Sequence, residues 1–200
     1  VRCEWDAREL ADIKKSARER ISQSAPTQLA VIDGLRQAIP EDGFLVGGVT
    51  SIGAWSTIAY PTTRPRTFIT SSYMGTLGFA FPTALGIKVG NPDKAVVALC
   101  GDGGFMYAMT DLATAVQYGI DVVTVIFNNH QFGASKRDQD IRFGERVIGT
   151  ELHNPDFVRL AESFNARGVR VERLEDISEV VHEAISSRRP SVVEVEVPDG

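Results

Sequence analysis

The stretch Lys94-Ala-Val-Val-Ala-Leu-Cys100 runs directly into Gly101-Asp102-Gly103-Gly104, and this passage decides the fold. Its apolar residues follow one another without alternation, which is typical of a strand buried on both faces of a parallel sheet. Asp121 to Phe127 has the same character. Between the two runs, apolar residues recur at helical spacing: Met109, Leu112, Ala113 and Val116. The sequence therefore predicts a strand-helix-strand unit with parallel strands.

The same alternation of helical and extended patterns continues on both sides of this unit. Helices are predicted from Pro26 to before Pro40 and near residues 155–166 and 176–188, and strands at residues 44–46, 67–69, 169–171 and 192–197. The strands at 44–46 and 67–69 are both expected to be buried. We expect a three-layer α/β/α sandwich on a mostly parallel sheet. Residues 1–24 are expected to form a lead-in helix or linker, and residues 25–200 a single domain.

Composition excludes several classes of function. The chain has 200 residues, 43% hydrophobic and 24% charged, and a formal net charge of −5 with no basic block, so nucleic acid is not an expected partner. No apolar run approaches the roughly 20 residues of a membrane span. Cys3 and Cys100 lie far apart, which argues against a disulfide or zinc site and favours a reducing, cytoplasmic location. The chain begins at Val1 without Met, which suggests that it was cut from a longer protein or processed.

Ligand-binding residues are expected where the two central strands end. In open parallel sheets, ligands bind beyond the carboxyl ends of the strands. Gly101 to Gly104 would allow backbone N–H groups to approach a phosphate, and Asp102 adds one carboxylate. The second strand ends at Asn128-Asn129. A carboxylate beside a phosphate requires a cation between them, and Mg²⁺ prefers oxygen ligands of this kind.

Gly101-Asp102-Gly103 followed by Asn128-Asn129 resembles the signature of thiamine diphosphate (ThDP) enzymes. Residues 75–86 are similar to the glycine-rich helix that precedes this signature in acetolactate synthases and benzoylformate decarboxylases, and residues 111–115 resemble their crossover helix. The chain is thus identified as a member of this superfamily, matching its C-terminal, diphosphate-binding domain over most of residues 43–200.

The resemblance implies a set of site residues. Asp102, the Asn129 side chain and the Gln131 backbone carbonyl would bind Mg²⁺. Leu77 would lie under the cofactor and force its two rings into a V, and the Gly75 carbonyl would accept a hydrogen bond from the aminopyrimidine. The diphosphate would be met by Gly103, Gly104, Gly133 and, on a weaker match, Thr50 and Ser51.

The resemblance also implies that the site is incomplete. In the family, a glutamate on a separate pyrimidine-binding domain activates the cofactor, and nothing in this sequence resembles that domain. We therefore expect no catalytic residue here, no turnover by the chain alone, and a pyrimidine-binding domain on the same or another chain. An exposed apolar face is expected to favour homo-oligomers. The expected substrate is a small 2-oxo acid, which the intact enzyme decarboxylates or ligates.

The branch within the superfamily is left open. The loop at residues 131–137 and the turn at residues 149–152 are more similar to acetolactate synthase-like enzymes and sulfoacetaldehyde acetyltransferases than to pyruvate decarboxylase. A benzoylformate decarboxylase-like enzyme is another alternative, and a non-catalytic subunit with the same fold is an alternative of a different class. Lys136-Arg137 could contact an anionic substrate, although a solvated basic pair is favoured. Solvated positions are also expected for Glu145, Glu151, His130, His153 and His182.

Two other nucleotide-binding motifs do not fit. A nicotinamide-binding Rossmann fold is disfavoured because Met106 stands where the third glycine belongs, and because Asp121 begins the next strand whereas the ribose-binding acid should end it. A P-loop requires Gly-Lys-Ser/Thr after the glycines, which is absent.

Overall fold

The computed structural model describes residues 6–197, and within them a six-stranded sheet forms the centre of the molecule. All neighbouring strands are parallel, in the order β2-β1-β3-β4-β6-β5. The strands are β1 (Phe44–Gly47), β2 (Phe68–Thr70), β3 (Val96–Gly101), β4 (Val123–Asn128), β5 (Arg167–Val171) and β6 (Ser191–Glu196). The predicted parallel sheet is therefore confirmed.

Nine α-helices lie in the described residues. They are α1 (Ala7–Ser24), α2 (Pro26–Ala38), α3 (Ser51–Ala59), α4 (Ala80–Gly90), α5 (Asp102–Met106), α6 (Leu112–Gln117), α7 (Gly133–Phe143), α8 (Phe157–Ser163) and α9 (Ile177–Ser186). Helix α1 begins at the Asp6 cap, where the side chain accepts a hydrogen bond from the Arg8 N–H, and it buries no residue. It packs mainly on α2. No helix in this part of the chain is long and apolar enough to cross a membrane.

The helices cover both faces of the sheet, as a three-layer sandwich requires. On one face α2, α3 and α9 pack against alternate residues of the central strands, with Ile32, Leu35 and Ile177 fully buried. On the other face α4, α5, α6 and α8 enclose a cluster centred on Phe81, Phe105 and Phe157. Strands β3 and β4 are buried along nearly their whole length, which explains why their sequences are apolar without alternation.

The order of the strands creates a switch point between β1 and β3. The chain passes from β1 outward to β2, then returns to place β3 on the other side of β1, and continues to β4. The loops that leave β1 and β3 therefore diverge to opposite faces of the sheet and leave a crevice between them. Gly48 follows β1, and its N–H donates to the Leu99 carbonyl of β3 at 2.9 Å. This crevice lies beside Gly101 and Asp102.

Four local expectations were wrong or incomplete. Residues 75–79 are not helical, because Gly75 and Gly78 have φ of +54° and +78°, and α4 begins only at Ala80. Strand β2 is half-buried, since it lies at the sheet edge. Residues 133–137, expected as a loop, form the start of α7. Helix α3, directly after Thr50, was not predicted.

Candidate cofactor site

The carboxyl end of β3 buries the candidate metal ligand. Asp102 follows the last strand residue, Gly101, and is only 3% exposed. Gly103 and Gly104 continue the same short helix, α5, without side chains between their backbone and the crevice. A buried carboxylate needs partners, because the free-energy cost of desolvating its charge is otherwise large. The partner that the fold provides is an amide from a distant segment.

The carboxyl end of β4 lies beside the carboxyl end of β3. Asn128 is 1% exposed, Asn129 is half-buried, and the Asn129 amide nitrogen lies 3.2 Å from the position a Cβ would take on Gly133. The next residues are held by a short antiparallel bridge between Gln131 and Glu151. Its hydrogen bonds run from the Phe132 N–H to the Thr150 carbonyl and from the Leu152 N–H to the His130 carbonyl, both at 2.7 Å.

This bridge determines the direction of the Gln131 backbone. Both of these bonds are made by the residues on either side of Gln131, so the Gln131 carbonyl points away from the segment 150–152. Gln131 as a whole is 8% exposed. The geometry is compatible with the role that the family resemblance implies for this carbonyl, namely a backbone ligand presented from a rigid loop.

Asn154 joins the two strand ends, and this contact was not predicted from the sequence. Its amide nitrogen donates to Asp102 Oδ2 at 2.7 Å and to Asn128 Oδ1 at 2.8 Å. Asn154 lies in the segment that leads into α8, far from both partners in sequence. The only local signal is its place in Asn154-Pro155-Asp156, just before a helix, which suggests a turn and not a contact with Asp102.

A buried carboxylate, paired with an exposed arginine, lies behind Asn128. The Asn128 amide donates to Glu194 Oε1 at 2.9 Å and to Glu196 Oε1 at 3.3 Å. Glu194 is 1% exposed, and its other oxygen accepts from Arg170 Nη2 at 2.7 Å and Nε at 3.2 Å. This hydrogen bond to Glu194 is the main cause that raises the pKa of Arg170, so the guanidinium stays charged. The strands β4, β5 and β6 are thereby linked by charged and amide side chains.

Thr50 reaches the site, whereas Ser51 does not. Thr50 caps α3, and its hydroxyl accepts from the Gly53 N–H at 2.8 Å. The Thr50 methyl group lies 3.4 Å from where a Cβ would stand on Gly101. Ser51 is exposed on the first turn of α3. The structure thus places Thr50, but not Ser51, against the end of β3.

Leu77 lines the crevice, and Gly75 lies outside it. The crevice is bounded by Gly48, Val49, Leu77, Gly78, Phe79, Ala80, Phe81, Cys100, Gly101 and Gly104. Leu77 Cδ2 is 3.8 Å from the position of a Cβ on Gly104, so the leucine packs over the phosphate-side glycines. Gly75 is exposed, and nothing lies within 4 Å of its Cβ position. Burial raises the pKa of Cys100, on the crevice wall, to about 12, so this residue is a neutral thiol.

Of the other polar residues named from the sequence, all but one are exposed, as expected. Exposed positions are occupied by His130, Arg137, Glu145, Glu151, His153 and His182, and Lys136 is half-buried. His130 Nε2 lies 3.4 Å from Glu196 Oε2, and its backbone φ is +55°. None of these side chains forms a hydrogen bond or ion pair with Asp102.

The residues present fit a magnesium-diphosphate group. Within residues 6–197 no three His, Cys, Asp or Glu side chains cluster as a metal site would need if it relied on them alone. Mg²⁺ typically takes one or two carboxylates and completes its shell with phosphate oxygens and water. At the carboxyl end of β3 the chain offers the buried carboxylate of Asp102, and the loop after β4 carries the Asn129 amide and the Gln131 carbonyl. Gly101 and Gly104 line the crevice and leave room for phosphate beside them, whereas the space beside Gly103 is filled by Phe132.

A doubly wound parallel sheet with a glycine-lined crevice at its switch point and a buried carboxylate at its rim defines a cofactor-binding α/β domain. The family model for the C-terminal, thiamine pyrophosphate-binding domain of thiamine pyrophosphate enzymes matches residues 48–195. The chain therefore belongs to this family. Thiamine pyrophosphate is another name for thiamine diphosphate, so the cofactor of the family is ThDP.

Relatives and a solved structure show the breadth of the family. The chain is 31% identical to the sulfoacetaldehyde acetyltransferase of Castellaniella defragrans over 196 residues, covering 96% of this chain and 32% of that protein. It is 34% identical to the mitochondrial acetolactate synthase catalytic subunit of Saccharomyces cerevisiae over 170 residues, 84% of this chain and 25% of that one. The benzoylformate decarboxylase structure from Polynucleobacter necessarius superposes with a TM-score of 0.78 at 29% identity, covering 86% of this chain and 33% of that one. The chain thus spans about a third or less of the length of these proteins.

Proposed function

We propose that this chain holds ThDP and Mg²⁺ for an acetolactate synthase-like enzyme that decarboxylates or ligates 2-oxo acids. The observation that carries the proposal is the burial of the Asp102 carboxylate at the mouth of a glycine-lined crevice, in a chain of this family. A carboxylate aimed at a phosphate site is favourable only with a cation between them. When bound, ThDP supplies a thiazolium carbon that adds to a carbonyl group and stabilises negative charge there.

The roles of the chain's own residues follow from their positions. Asp102, the Asn129 side chain and the Gln131 carbonyl hold the metal, and the N–H groups of Gly103 and Gly104 face the diphosphate. Gly133 leaves space for the Asn129 amide, since a side chain at 133 would begin 3.2 Å from that nitrogen. Leu77 supports the cofactor from below, and Thr50 borders the diphosphate.

Catalysis requires a second domain in addition to this chain. None of the described residues around the crevice is a carboxylate that could protonate the aminopyrimidine, apart from the metal ligand Asp102. We infer that a pyrimidine-binding domain, on the same or another chain, covers this face. The exposed side chains of Tyr73, Met74 and Tyr107, which are 96%, 75% and 68% exposed, support a covering partner because they border the loop that carries Leu77 and Gly78. The isolated chain should therefore bind the cofactor weakly, self-associate, and show no turnover.

The relatives have different activities, so two reactions are candidates for the intact enzyme. An acetolactate synthase-like ligase is the first candidate, because a synthase and an acetyltransferase are both over 30% identical to this chain. A benzoylformate decarboxylase-like lyase is supported by the structural match. A cytoplasmic location, proposed from the two isolated cysteines, agrees with either reaction.

Calorimetry on wild type and Asp102→Ala tests the proposal. Titration of ThDP into wild type should release heat that depends on Mg²⁺, and Asp102→Ala should lose that metal-dependent part. Asp93→Ala, which removes an exposed acid in the turn before β3, at the opposite end of that strand from Asp102, is the matched control and should behave as wild type. Absence of metal-dependent heat in wild type would mean that the chain is a non-catalytic relative.

Two further measurements test the missing half of the site. Decarboxylase or ligase activity from the chain alone, comparable with that of intact relatives, would contradict the proposed dependence on a second domain. Sedimentation at high protein concentration should show self-association, and a clean monomer would count against an exposed partner face.

A further inference from the structure

One side chain outside the proposed ligand set holds the ends of β3 and β4 together. The two N–H bonds of the Asn154 amide can serve two acceptors, and the amide nitrogen lies 2.7 Å from Asp102 Oδ2 and 2.8 Å from Asn128 Oδ1. One of these acceptors is the buried carboxylate, so the bond to it is charge-assisted and strong for its type. Asn154 comes from neither strand.

The orientation of both amides is determined by their neighbours. If Asn154 were turned over, its oxygen would face the Asp102 carboxylate and the Asn128 oxygen, which are both acceptors. If Asn128 were turned over, its oxygen would face the Glu194 carboxylate and its NH₂ group would face the His130 N–H, which donates to Asn128 Oδ1 at 3.3 Å. Only one arrangement satisfies every group.

A series of hydrogen bonds and ion pairs holds Asn128 in this orientation. Asn128 is fixed by Glu194, Glu194 is fixed by Arg170, and Arg170 Nη2 lies 3.5 Å from the Asp156 carboxylate that caps α8. Asn154 is only two residues before Asp156. The segment that carries Asn154 is therefore anchored at the same ion-pair network that orients Asn128, and Asn154 links this network to Asp102.

We propose that Asn154 is a positioning residue that orients the Asp102 carboxylate for the metal, although it does not contact the metal itself. The inference rests on the proposed function of Asp102 as a metal ligand. Partners of metal-binding carboxylates typically change metal affinity by 10- to 100-fold when they are removed. Without the amide, Asp102 keeps its position at the start of α5 but loses the group that fixes the plane of its carboxylate.

The test measures metal binding without turnover, in the 200-residue chain at a fixed excess of ThDP. Binding of Mn²⁺ is followed by the electron paramagnetic resonance signal of the free ion, and Tm is recorded with and without Mn²⁺ and ThDP. Two variants remove the donor: Asn154→Ala, and Asn154→Leu, which retains a similar volume. Asn91→Ala is the matched control. The Asn91 amide donates to the Ile87 carbonyl at 3.0 Å, and it lies between α4 and β3, at the opposite end of β3 from Asp102.

Both Asn154 variants should raise the Kd for Mn²⁺ about tenfold or more and should reduce the rise in Tm produced by Mn²⁺ and ThDP. Asn91→Ala should lower the Tm of the ligand-free chain at most slightly and keep the wild-type rise. A purely structural role for Asn154 would lower the ligand-free Tm but leave the ligand-induced rise unchanged, since that rise depends on affinity.

The outcomes separate the two proposals. No Mn²⁺ binding by wild type defeats the proposed function. Binding by wild type with unchanged affinity in either Asn154 variant overturns the positioning role. Failure of both Asn154 variants to fold, while Asn91→Ala folds, would make Asn154 a structural residue and would also overturn it.

Discussion

The ring of Phe132 lies directly against the backbone of Gly103. A Cβ built on Gly103 would stand 2.4 Å from Phe132 Cε1 and 3.0 Å from Leu152 Cδ1. The contact brings the loop after β4 onto the loop after β3, so the two halves of the proposed metal site pack against each other. Gly103 thus has a packing role in addition to any N–H group that it offers a phosphate.

Gly103→Ala should therefore destabilise the chain and displace the loop after β4. The added methyl group overpacks a buried contact, which typically costs about 1–3 kcal/mol. Urea unfolding measures this change, and ThDP affinity should fall with it. Gly86→Ala is the control, since nothing lies within 4 Å of its Cβ position in α4, and it should stabilise by about 0.5–1 kcal/mol. Equal stability of the two variants would refute the packing role.

The backbone of His130 is in the left-handed region, with φ of +55°. His130→Val and His130→Gly both remove the imidazole and its contact with Glu196, so they differ mainly in backbone preference. A β-branched residue is disfavoured in this region, and the valine variant should be less stable than the glycine variant by about 1–2 kcal/mol. Chemical denaturation provides the comparison. If valine is tolerated as well as glycine, the loop does not enforce this conformation.

Asp156 should make the stability of the chain sensitive to acid. Its hydrogen bond from the Arg159 N–H, followed in importance by the charges of Arg170 and Arg159, lowers its pKa below the usual 3.8. Because the folded pKa is depressed, the stabilising effect is present above pH 3.8 and is lost as pH falls through the folded pKa.

Asp156→Ala measures that effect, because it removes the cap of α8. At pH 7 the variant should lose about 1 kcal/mol, the typical value for a helix cap. The difference from wild type should shrink as pH falls below 3.8, where the carboxylate takes up a proton. Asp156→Asn retains a capping oxygen and should stay close to wild type at pH 7. A constant difference for Asp156→Ala at all pH values would contradict the assignment.

Cys100 should be unreactive in the folded chain. Burial raises the pKa of its thiol to about 12, and only the thiolate is a good nucleophile. In a Cys3→Ser variant, which leaves Cys100 as the only thiol, alkylation at pH 8 should be slow under native conditions and fast in denaturing urea. Rapid native labelling would show that the crevice wall opens.

The sequence alone was informative about the sheet. The uninterrupted apolar runs of β3 and β4 required burial on both faces, and the structure confirms parallel strands covered by helices on each side. It was less informative where local preference and tertiary context disagree. Residues 75–79 were expected to be helical from the family resemblance, yet Gly75 and Gly78 adopt positive φ and keep this stretch out of α4.

The same contrast holds for the site. The sequence by itself determined the residue types and their location at the carboxyl ends of β3 and β4, because strand polarity is local and places Asp102, Asn128 and Asn129 at one edge of the sheet. Only the tertiary structure decided that Asn154 joins Asp102 to Asn128, and that Glu194 and Arg170 stand behind them. Such contacts depend on the order in which β6 and β5 join the sheet beside β4. No short-range pattern encodes that order, since it follows from how the whole chain buries its apolar faces.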